Sequence, residues 1–586
     1  MNVLGISCFY HDASACILKD GKIVAAAQEE RFTRKKHDIS FPINSVNYCL
    51  KSQNMQIKDI DYIAFYEKPF LKFERLLYQH LEYFPKGYRI FLSNIFSWFS
   101  EKLRVVKIIK KQLKYKKDIL FIEHHLAHAG GSFLPSPFEK ATIVTLDGVG
   151  EWTTTAYGIG KGNKIKLKKE IRFPHSLGLL YSAITAYLGF SVNNSEYKVM
   201  GLAPYGDMNK KTNQYYQKLE KVIDIKDDGS YKLDMDYFSY NYKNRMPSKK
   251  LCNLLDGNIR KKQEEVTQRH KDIAAALQLI YEEVFFKILN FAYKEIKCSN
   301  LVIAGGCGLN SVANGKILRN TKFKRVWCQP DPGDGGTSIG AALFVYNSIL
   351  NRKRNYVLDN PYLGPAFSDE EIEKFLNENN IKYSTFENRK ELIKITAGLI
   401  KDNKVIGWFQ GGMEWGPRAL GARSILSNAC NPEMKDVLNL KVKHREKFRP
   451  FAPVVCEDNA LKYFQCDKPI PLMTDFMLMV YPIKKQFQKK IPSVTHVDGS
   501  GRLQTIRRKQ NPLYYDLIKE AGKSLGIPIL INTSFNIRGE PIVCSPYDAY
   551  KCMMGTGIDN LIIGQFMIKR EDNLKDEWDS EKIAGD

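Results

Sequence analysis

The chain has 586 residues, and because a single hydrophobic core stops growing near about 250–300 residues, two large domains are expected. Its composition, 44% hydrophobic and 26% charged, is ordinary for a folded protein and excludes a largely disordered chain. The net charge of +24 suits a polyanionic partner such as nucleic acid, an anionic membrane surface or a phosphorylated substrate, although lysines spread over solvated faces would explain it equally well.

The first thirty residues predict three β-strands. The stretches VLGIS, ASACILKD and KIVAAAQEE are the strand candidates, and Asp20-Gly21 is a hairpin signal between the last two. Residues 141–171 repeat this order of strand, polar loop and hairpin about 140 residues later. The repetition predicts a duplicated α/β fold, in which the loop after each first strand carries an acid, Asp12 or Asp147.

Residues 68–117 are rich in aromatic and basic side chains and predict amphipathic helices divided near Pro85-Lys86-Gly87. Helices of this composition can lie on a membrane surface or on nucleic acid. Aromatic residues at helical spacing more often belong to a core. The favoured expectation is therefore a helical insertion whose aromatic side chains pack on the main domain while its lysines face water.

Residues 121–130, FIEHHLAHAG, contain three of the ten histidines of the chain. On a helix, His124 and His128 share one face, whereas His125 is rotated by about 100°. The zinc peptidase pattern H-E-x-x-H has the same spacing, but no glutamate follows His124, so peptidase chemistry is not expected. Two histidines alone are an incomplete metal site.

Two glycine-rich loops follow further along the chain, in LVIAGGCGLNSVANGKIL (301–318) and QPDPGDGGTSIGAALFV (329–345). Each lies where a strand gives way to a helix, so backbone N–H groups and a helix N-terminus can face an anion or a nucleotide. One such loop alone is more often only a turn. Two of them close together predict a single nucleotide-sized cleft.

Residues 351–365 predict a linker, and residues 366–586 a second domain with an acidic end. This domain places basic residues beside glycine, proline, amide and hydroxyl groups. The side chains concerned are Arg418, Arg423, Lys443, Arg449, Arg502, Asn532, Ser534 and Arg538. Because an arginine fork matches the geometry of a phosphate group, the pattern predicts binding of phosphorylated ligands.

Several motifs occur in one order over nearly the whole chain. They are HDASA (11–15), EERFTRKKHD (29–38), HHLAHA (124–129), LDGVGE (146–151), YKVMGLAPYG (197–206), GDGG (333–336), WGPRALGARS (415–424), REKFRPFAP (445–453) and NTSFNIRGEPIV (532–543). Together they resemble the O-carbamoyltransferases of antibiotic and nodulation-factor biosynthesis. Each fragment alone would be a weak signal, but the ordered set is specific.

The resemblance implies an actin-like (ribonuclease-H-like) duplicated domain over residues 1–350 and a YrdC-like α/β domain over residues 366–586. The second domain would form carbamoyl-adenylate from carbamoyl phosphate and ATP, with Mg²⁺ accompanying ATP, and would release pyrophosphate. The first domain would transfer the carbamoyl group to a hydroxyl of a small sugar or natural product and release AMP.

The resemblance also implies roles for individual residues. It implies a divalent metal, iron(II) in relatives, held by His124, His128, Asp147 and Asp334. His11 would be the general base for the acceptor hydroxyl, with Asp12 orienting it. The adenylate would be held by Glu196, Lys198, Gly305, Gly306 and Asn310. ATP and carbamoyl phosphate would be bound by Arg418, Lys443, Arg449, Arg502, Asn532 and Ser534. The acceptor would lie near His11 and the basic segment 29–38.

Simpler roles stay open for some of these residues. An aspartate in a glycine loop often caps a turn, which is the alternative for Asp147 and Asp334. A histidine beside a ligand often only positions it, which is the alternative for His11.

Two other functions remain open on the sequence. A threonylcarbamoyl transferase acting on tRNA would use a similar first domain and the positive charge, but both domains in one chain favour a small-molecule acceptor, with no nucleic-acid partner. An actin-like ATPase or scaffold would not need the histidine pair. The aromatic surfaces of the insertion allow a homodimer without requiring one.

The location of the protein is predicted from absent features. The twelve cysteines contain no C-x-x-C pair, which argues against a zinc ribbon or a disulfide framework. No signal peptide and no apolar run long enough to span a membrane is evident. The expectation is a cytoplasmic protein.

Overall fold

The computed structural model describes residues 1–100 and 102–576. The last ten residues of the predicted second domain, with most of its acidic end, lie outside the described residues. The chain forms two compact units, one of residues 1–25 and 39–358, the other of residues 26–38 and 359–586. The sequence had assigned residues 26–38 to the first domain. The structure differs because this segment is bonded to the second unit, where the Arg34 guanidinium donates to the carbonyl oxygens of Pro541 and Ile542 at 2.8 and 2.7 Å.

The first unit contains two five-stranded sheets. The strands of the first sheet are β1 (Asn2–Ser7), β2 (Ser14–Lys19), β3 (Lys22–Gln28), β4 (Tyr62–Phe65) and β5 (Ile119–Phe121). The strands of the second sheet are β6 (Lys140–Leu146), β7 (Thr153–Lys161), β8 (Lys164–Arg172), β11 (Asn300–Ala304) and β12 (Arg325–Trp327). Between β8 and β11 in the chain, β9 (Ile223–Ile225) and β10 (Tyr231–Leu233) form a separate two-stranded sheet.

The two sheets have the same topology. Their strand orders are β3-β2-β1-β4-β5 and β8-β7-β6-β11-β12. In each, the first strand of the repeat pairs antiparallel with the next strand and parallel with the fourth, and the fourth pairs parallel with the fifth. The α/β class is confirmed, and the repeated strand order is the duplication that the sequence predicts. The loop after β1 therefore corresponds to the loop after β6.

Helices of the N-terminal 350 residues are α1 (Glu30–Thr33), α2 (Ile43–Ser52), α3 (Pro69–Tyr83), α4 (Tyr88–Ser100), α5 (Val105–Leu113), α6 (His124–Phe133), α7 (Leu177–Tyr187), α8 (Glu196–Leu202), α9 (Gln214–Leu219), α10 (Lys249–Leu254), α11 (Gln268–Ile296), α12 (Ser311–Asn314), α13 (Ile317–Asn320) and α14 (Thr337–Leu343). Of these, α1 belongs to the second unit. Helices α6 and α14 are almost entirely buried and pack against each other.

The α6–α14 contact depends on glycine. A Cβ atom on Gly340 of α14 would lie 1.8 Å from the carbonyl oxygen of Ala127 on α6, so only glycine fits at this crossing. The close approach brings the N-terminal end of α6 near the glycine loop that precedes α14. These are the two places where the sequence predicts metal ligands.

The insertion is helical, as predicted, and its helices α3 and α4 are separated near Pro85. The expectation that its aromatic side chains pack inward is wrong for most of them. Phe73 and Trp98 do pack together, with ring centroids 5.7 Å apart, and Trp98 is buried. Phe84 and Phe96 are largely exposed. The two helices use one face for packing, and their other faces keep apolar side chains in contact with solvent.

The second unit is built on one nine-stranded sheet of order β13-β21-β20-β14-β15-β19-β16-β18-β17. Its strands are β13 (Ser384–Thr385), β14 (Ile406–Phe409), β15 (Arg423–Asn428), β16 (Ala452–Cys456), β17 (Met479–Pro482), β18 (Ser500–Ile506), β19 (Ile529–Ser534), β20 (Asn560–Ile563) and β21 (Phe566–Lys569). Its further helices are α15 (Asp369–Glu378), α16 (Arg389–Lys401), α17 (Met434–Val437), α18 (Glu457–Tyr463), α19 (Lys485–Gln488), α20 (Pro512–Leu525) and α21 (Pro546–Met554).

The core of the second unit lies between its sheet and the helices α16 and α20. Ile400 and Leu517 are fully buried there against Trp408 of β14. Residues 351–365 carry no helix or strand, in line with a linker, but their first part is anchored. Arg354 donates to the carbonyl oxygens of Leu134 and Phe138 at 2.7 and 2.6 Å, within the first unit.

Candidate active site

Four side chains of the first unit converge on one point. His124 and His128 lie one turn apart on α6, Asp147 directly follows β6, and Asp334 lies in the glycine loop before α14. All four are buried, and one donor atom from each lies within 4.8 Å of the others. The sequence prediction of which residues meet here therefore agrees with where the structure places them.

The distances in this cluster suit a single metal ion. The Nε2 atoms of His124 and His128 are 3.0 Å apart, and they lie 3.1 and 3.7 Å from Oδ2 of Asp147. Asp334 Oδ1 lies 3.6 and 3.5 Å from the same two nitrogens. Four ligands at about 2.1 Å from a tetrahedral metal are separated by about 3.4 Å. The observed separations fall around that value.

The chemistry of the donor set supports the same conclusion. Both carboxylate oxygens of Asp334 are buried and accept no hydrogen bond from the described residues. Leaving a buried carboxylate without a partner is costly, so a cation is the expected occupant. The set of two imidazoles and two carboxylates suits a borderline divalent ion such as iron(II) or zinc.

The backbone around the cluster fixes the ligands. The carboxylate of Glu151 accepts the backbone N–H of His124, with oxygens at 3.1 and 3.2 Å, and so holds the first turn of α6. Oδ1 of Asp147 accepts the backbone N–H of Gly306 at 2.8 Å, which turns Oδ2 toward the histidines. Gly305 has φ +90°, and a Cβ there would lie 2.0 Å from the carbonyl oxygen of Leu146. Sequence reasoning had not identified Glu151.

His11 and Asp12 lie in the loop after β1, the counterpart of the loop that carries Asp147. Nδ1 of His11 is 2.8 Å from Oδ2 of Asp12, and its Nε2 is 3.6 Å from Oδ2 of Asp334. Asp12 has φ +54°, an uncommon conformation for a residue other than glycine. The loop therefore holds the His11 ring between the two carboxylates, with Nε2 toward the cluster.

Opposed charges govern the acid–base behaviour of these groups. Burial disfavours protonation of His11, but the charge of Asp334 and the hydrogen bond to Asp12 outweigh it and raise the pKa of His11 to about 10. Burial also disfavours protonation of His128, but its hydrogen bonds to Asp147 and Asp334 and their negative charges outweigh burial and raise the pKa of His128 to about 9. For Asp147, burial is outweighed by the hydrogen bonds from His124 and His128, which hold its pKa well below its ordinary value.

His125 is separate from the cluster. Its Nδ1 lies 2.7 Å from the hydroxyl of Thr145 on β6. Burial, followed by the neighbouring charges of His124 and His128, lowers its pKa to about 3, so the ring is neutral. His125 is a core residue of the α6–β6 contact, and this answers the role that the sequence left open.

The residues predicted to hold the adenylate make internal contacts. The carboxylate of Glu196 accepts the backbone N–H groups of Asn193 and Ser195 at the start of α8. Asn310 caps α12 and exchanges hydrogen bonds with Gln278. Lys198 is buried, with Nζ 5.7 Å from the centre of the Phe190 ring. Gly305 and Gly306 adjoin Asp147 directly, and contacts of all five residues with an adenylate stay a prediction.

In the second unit, one face of the sheet gathers the predicted phosphate-binding residues. Asn532 and Ser534 are two residues apart on β19, so their side chains lie on the same face of the sheet. Arg502 and Gln504 are likewise two apart on β18 and share a face. The Asn532 amide donates to Oε1 of Gln504 at 2.5 Å, so the pair on β19 and the pair on β18 lie on the same face of the sheet. The carbonyl oxygens of Ala419 and Leu420 accept from Asn532 and Gln504, so the loop bearing Arg418 lies over this face.

Lys443 extends the same group. Its buried ammonium donates to both the carbonyl and hydroxyl oxygens of Ser534, and to the carbonyl and side-chain oxygens of Asn536 at 2.9 and 2.8 Å. Burial, together with the positive charges of Arg445 and Arg449, holds the pKa of Lys443 well below its ordinary value. Crowded like charges of this kind suit a site for an anion.

Two members of this site were missed on the sequence. Gln504 could have been found from its spacing of two from Arg502 on a strand. Lys36, whose charge also lowers the pKa of Lys443, comes from the segment 26–38 of the second unit. Arg34 anchors this segment to the backbone at residues 541–542, and the expectation that the segment lies near the acceptor stays a prediction.

Comparisons with known proteins identify the family. The model described as carbamoyltransferase N-terminus matches residues 2–343, and the model described as carbamoyltransferase C-terminus matches residues 397–570. The chain belongs to the carbamoyltransferase family. The resemblance read from the ordered motifs is thereby confirmed, and the protein is a carbamoyltransferase enzyme.

This carbamoyltransferase is 44% identical to the uncharacterized protein sll1178 of Synechocystis, over 99% of this chain and 98% of that protein. It is 35% identical to the nodulation protein NolNO of Sinorhizobium fredii, over 97% of this chain and 80% of the relative. The solved structure of HypF from T. kodakarensis aligns with a TM-score of 0.32 at 13% identity, over 58% of this chain and 47% of that one, which is too weak to inform the fold. Within the described residues, each helix is too short or too polar to cross a membrane.

Proposed function

We propose that this carbamoyltransferase is ATP-dependent and works in two steps. The second unit takes carbamoyl phosphate, ATP and one water, forms carbamoyl-adenylate, and releases orthophosphate from carbamoyl phosphate and pyrophosphate from ATP. The first unit transfers the carbamoyl group to a hydroxyl of a small sugar or natural product and releases AMP. The observation that carries the proposal is the buried cluster of His124, His128, Asp147 and Asp334 with the His11 ring directed at it.

The four clustered side chains would hold a divalent metal, iron(II) in our proposal, as in the enzymes that the chain resembles. When bound, such an ion supplies Lewis acidity toward the carbonyl and phosphate oxygens of the adenylate. Glu151 keeps the first turn of α6 in place, and the Gly306 N–H keeps Asp147 turned toward the histidines. The protein thereby supplies a preorganised set of ligands, which costs no rearrangement when the ligand binds.

His11 is the proposed general base. With Nδ1–H donated to Asp12, its Nε2 is left to accept the proton of the acceptor hydroxyl as the hydroxyl oxygen attacks the carbamoyl carbon. The negative charge of Asp334 otherwise keeps His11 protonated. With a cation held by Asp334 that charge would be offset, and the pKa of His11 would return toward its ordinary range, where a histidine can act as a base.

The second unit handles the two phosphorylated substrates in this proposal. Lys443 and Arg449 supply positive charge at one end of β19, and Arg502 and Arg418 approach the same sheet face from β18 and from the glycine loop. Asn532 and Ser534 add polar groups between them. This combination suits several phosphate groups held at once, since ATP and carbamoyl phosphate must lie side by side for the adenylate to form.

The test is ATP–pyrophosphate exchange measured with and without carbamoyl phosphate. Exchange that requires carbamoyl phosphate is expected, because the pyrophosphate is released only when the carbamoyl-adenylate forms. Exchange that proceeds equally well without carbamoyl phosphate would remove the first step. Transfer is then followed separately, as AMP release that depends on an added hydroxyl acceptor.

A further inference from the structure

The strongest feature outside the proposed reaction is the surface of the helical insertion. Among the described residues, ten of the nineteen large hydrophobic side chains classed as exposed lie between residues 70 and 106. Leu81, Phe84 and Phe96 expose 75–76% of their surface. Single exposed apolar side chains are normal, but so many in one short segment mark a binding surface.

The exposed apolar side chains of α4 form a stripe. Tyr88, Leu92, Phe96 and Phe99 are exposed and recur at intervals of four, four and three residues. At 100° per residue these four positions fall within about 80° of one another on the helix. Beneath the stripe, Trp98 packs on Phe73 of α3, so the other side of α4 is already occupied. Of the stripe, Phe99 also packs on Phe73, with ring centroids 5.6 Å apart, so Tyr88, Leu92 and Phe96 are the apolar side chains that α4 leaves toward solvent.

Basic residues flank this stripe in the sequence. Residues 86–117 contain ten lysines and arginines and one acidic residue. On α5, Val105, Ile109 and Leu113 are buried, Lys107 and Lys111 are exposed on the opposite side, and Lys114 is exposed directly after the helix. The helix thus presents a basic face directly after the apolar stripe of α4. The segment carries a strong net positive charge, which favours an anionic partner.

We propose that this surface, formed by the stripe of α4 and the basic face of α5, docks the enzyme on an anionic lipid bilayer. Phenylalanine and leucine enter the boundary between headgroups and acyl chains, while the lysines bind lipid headgroups. A second copy of the chain is disfavoured, because a two-fold contact would bring two strongly positive segments together. A nucleic acid would engage the lysines but would leave Leu92 and Phe96 without an apolar contact.

The experiment is co-sedimentation of the full chain with vesicles of phosphatidylcholine, alone or containing phosphatidylglycerol. Binding to the anionic vesicles is expected, falling as salt is added, with little binding to phosphatidylcholine alone. The double variant Leu92→Gln/Phe96→Gln keeps good helix formers on α4 and is expected to weaken binding at least about tenfold. The triple variant Lys107→Gln/Lys111→Gln/Lys114→Gln, which neutralises the exposed lysines on and directly after α5, is expected to weaken binding by at least about tenfold as well.

Matched controls change the same chemistry elsewhere. Val497→Gln/Tyr547→Gln removes two exposed apolar side chains of the second unit, and Lys374→Gln/Lys394→Gln/Lys401→Gln removes three exposed lysines there. Both controls are expected to bind vesicles as the parent does. The proposal is overturned by a parent chain that ignores anionic vesicles, or by insertion variants that bind them unchanged.

Two further outcomes would also overturn the proposal. In one, Leu92→Gln/Phe96→Gln converts a dimer into a monomer in light scattering while vesicle binding stays the same, which would make the stripe a subunit contact. In the other, the chain binds an unstructured RNA through the α5 lysines and shows no vesicle binding. ATP–pyrophosphate exchange that depends on carbamoyl phosphate, measured without vesicles, is expected to be unchanged in every variant. Failure of docking and failure of the proposed reaction are therefore distinguishable.

Discussion

The metal cluster of the first unit and the basic site of the second unit are both buried and charged, but they are completed differently. In the first, both oxygens of Asp334 are buried without a hydrogen bond from the described residues. In the second, the ammonium of Lys443 already donates to oxygens of Ser534 and Asn536. The first site contains a buried carboxylate without a hydrogen-bond donor, whereas the buried amine of the second site is hydrogen-bonded to acceptors of the protein itself.

The difference follows from the ligands that each site would take. A metal ion must meet several donors at fixed short distances, so those donors converge and cannot also bond one another well. A phosphate is larger and accepts hydrogen bonds from many directions, so its protein donors can rest on internal acceptors until it binds. The first site is therefore visible in its geometry, and the second mainly in its crowding of positive charge.

The largest expected effect comes from breaking the first site. His128→Ala is expected to reduce bound metal from about one ion per chain to a trace and to lower carbamoyl transfer at least about 1,000-fold. Its matched control is His125→Gln, on the same helix, because His125 bonds Thr145 and does not face the cluster. Metal content by elemental analysis checks both. A His128→Ala protein with full metal content, or a His125→Gln protein without metal, would contradict the ligand assignment.

The second effect isolates the other site. Lys443→Met is expected to lower carbamoyl-dependent pyrophosphate exchange by about 100- to 1,000-fold, since a charge-assisted contact to the phosphates is lost. Metal content should be unchanged, and His128→Ala should keep its exchange activity. Methionine fills the same volume without burying a charge, so thermal unfolding checks that the fold is kept. Loss of exchange in His128→Ala would show that the two sites do not work separately.

A smaller effect is expected at Glu151, which acts through the helix that carries the histidines. Neither Nδ1 of His124 nor Nδ1 of His128 has a hydrogen-bond partner among the described residues, so the support of α6 comes through its backbone. Glu151→Gln should weaken metal affinity about tenfold, at the lower end of outer-contact effects. Competition with a chelator measures this. Glu123→Gln, at the exposed position before α6, is the control and should leave affinity unchanged.

Much of this comparison could be predicted from the sequence, though unevenly. The histidines of the first site were accessible because they are spaced by one helical turn, whereas its two aspartates were named through the resemblance to O-carbamoyltransferases. Gln504 could have been found from its spacing to Arg502, but the contribution of Lys36 depends on which segments pack together, and no local pattern encodes that. The prediction that the aromatic side chains of the insertion pack inward was wrong for a related reason. Helical spacing shows which residues share a face, but Phe73 and Phe96 look alike until the packing partner is known.

The smallest effect concerns the pH dependence of anion binding in the second unit. Burial and the charges of Arg445 and Arg449 favour the neutral amine of Lys443, so its pKa in the free protein lies well below 10.5. A bound phosphate favours the ammonium and raises that pKa. Between the two values, binding takes up a proton, and affinity increases as pH falls, by at most about tenfold per pH unit.

Calorimetry of carbamoyl phosphate binding, in buffers that differ in ionisation enthalpy, measures this proton uptake directly. In the Lys443→Met protein, titrated at the same pH values, the proton uptake comes only from the ligand itself. The difference in proton uptake between the two proteins is therefore due to Lys443. Equal proton uptake in both proteins would mean that the amine stays bonded to Ser534 and Asn536 when the anion binds. In that case the second site would use its positive charge at a distance, and the contrast with the metal cluster, whose donors must touch their ligand, would be sharper still.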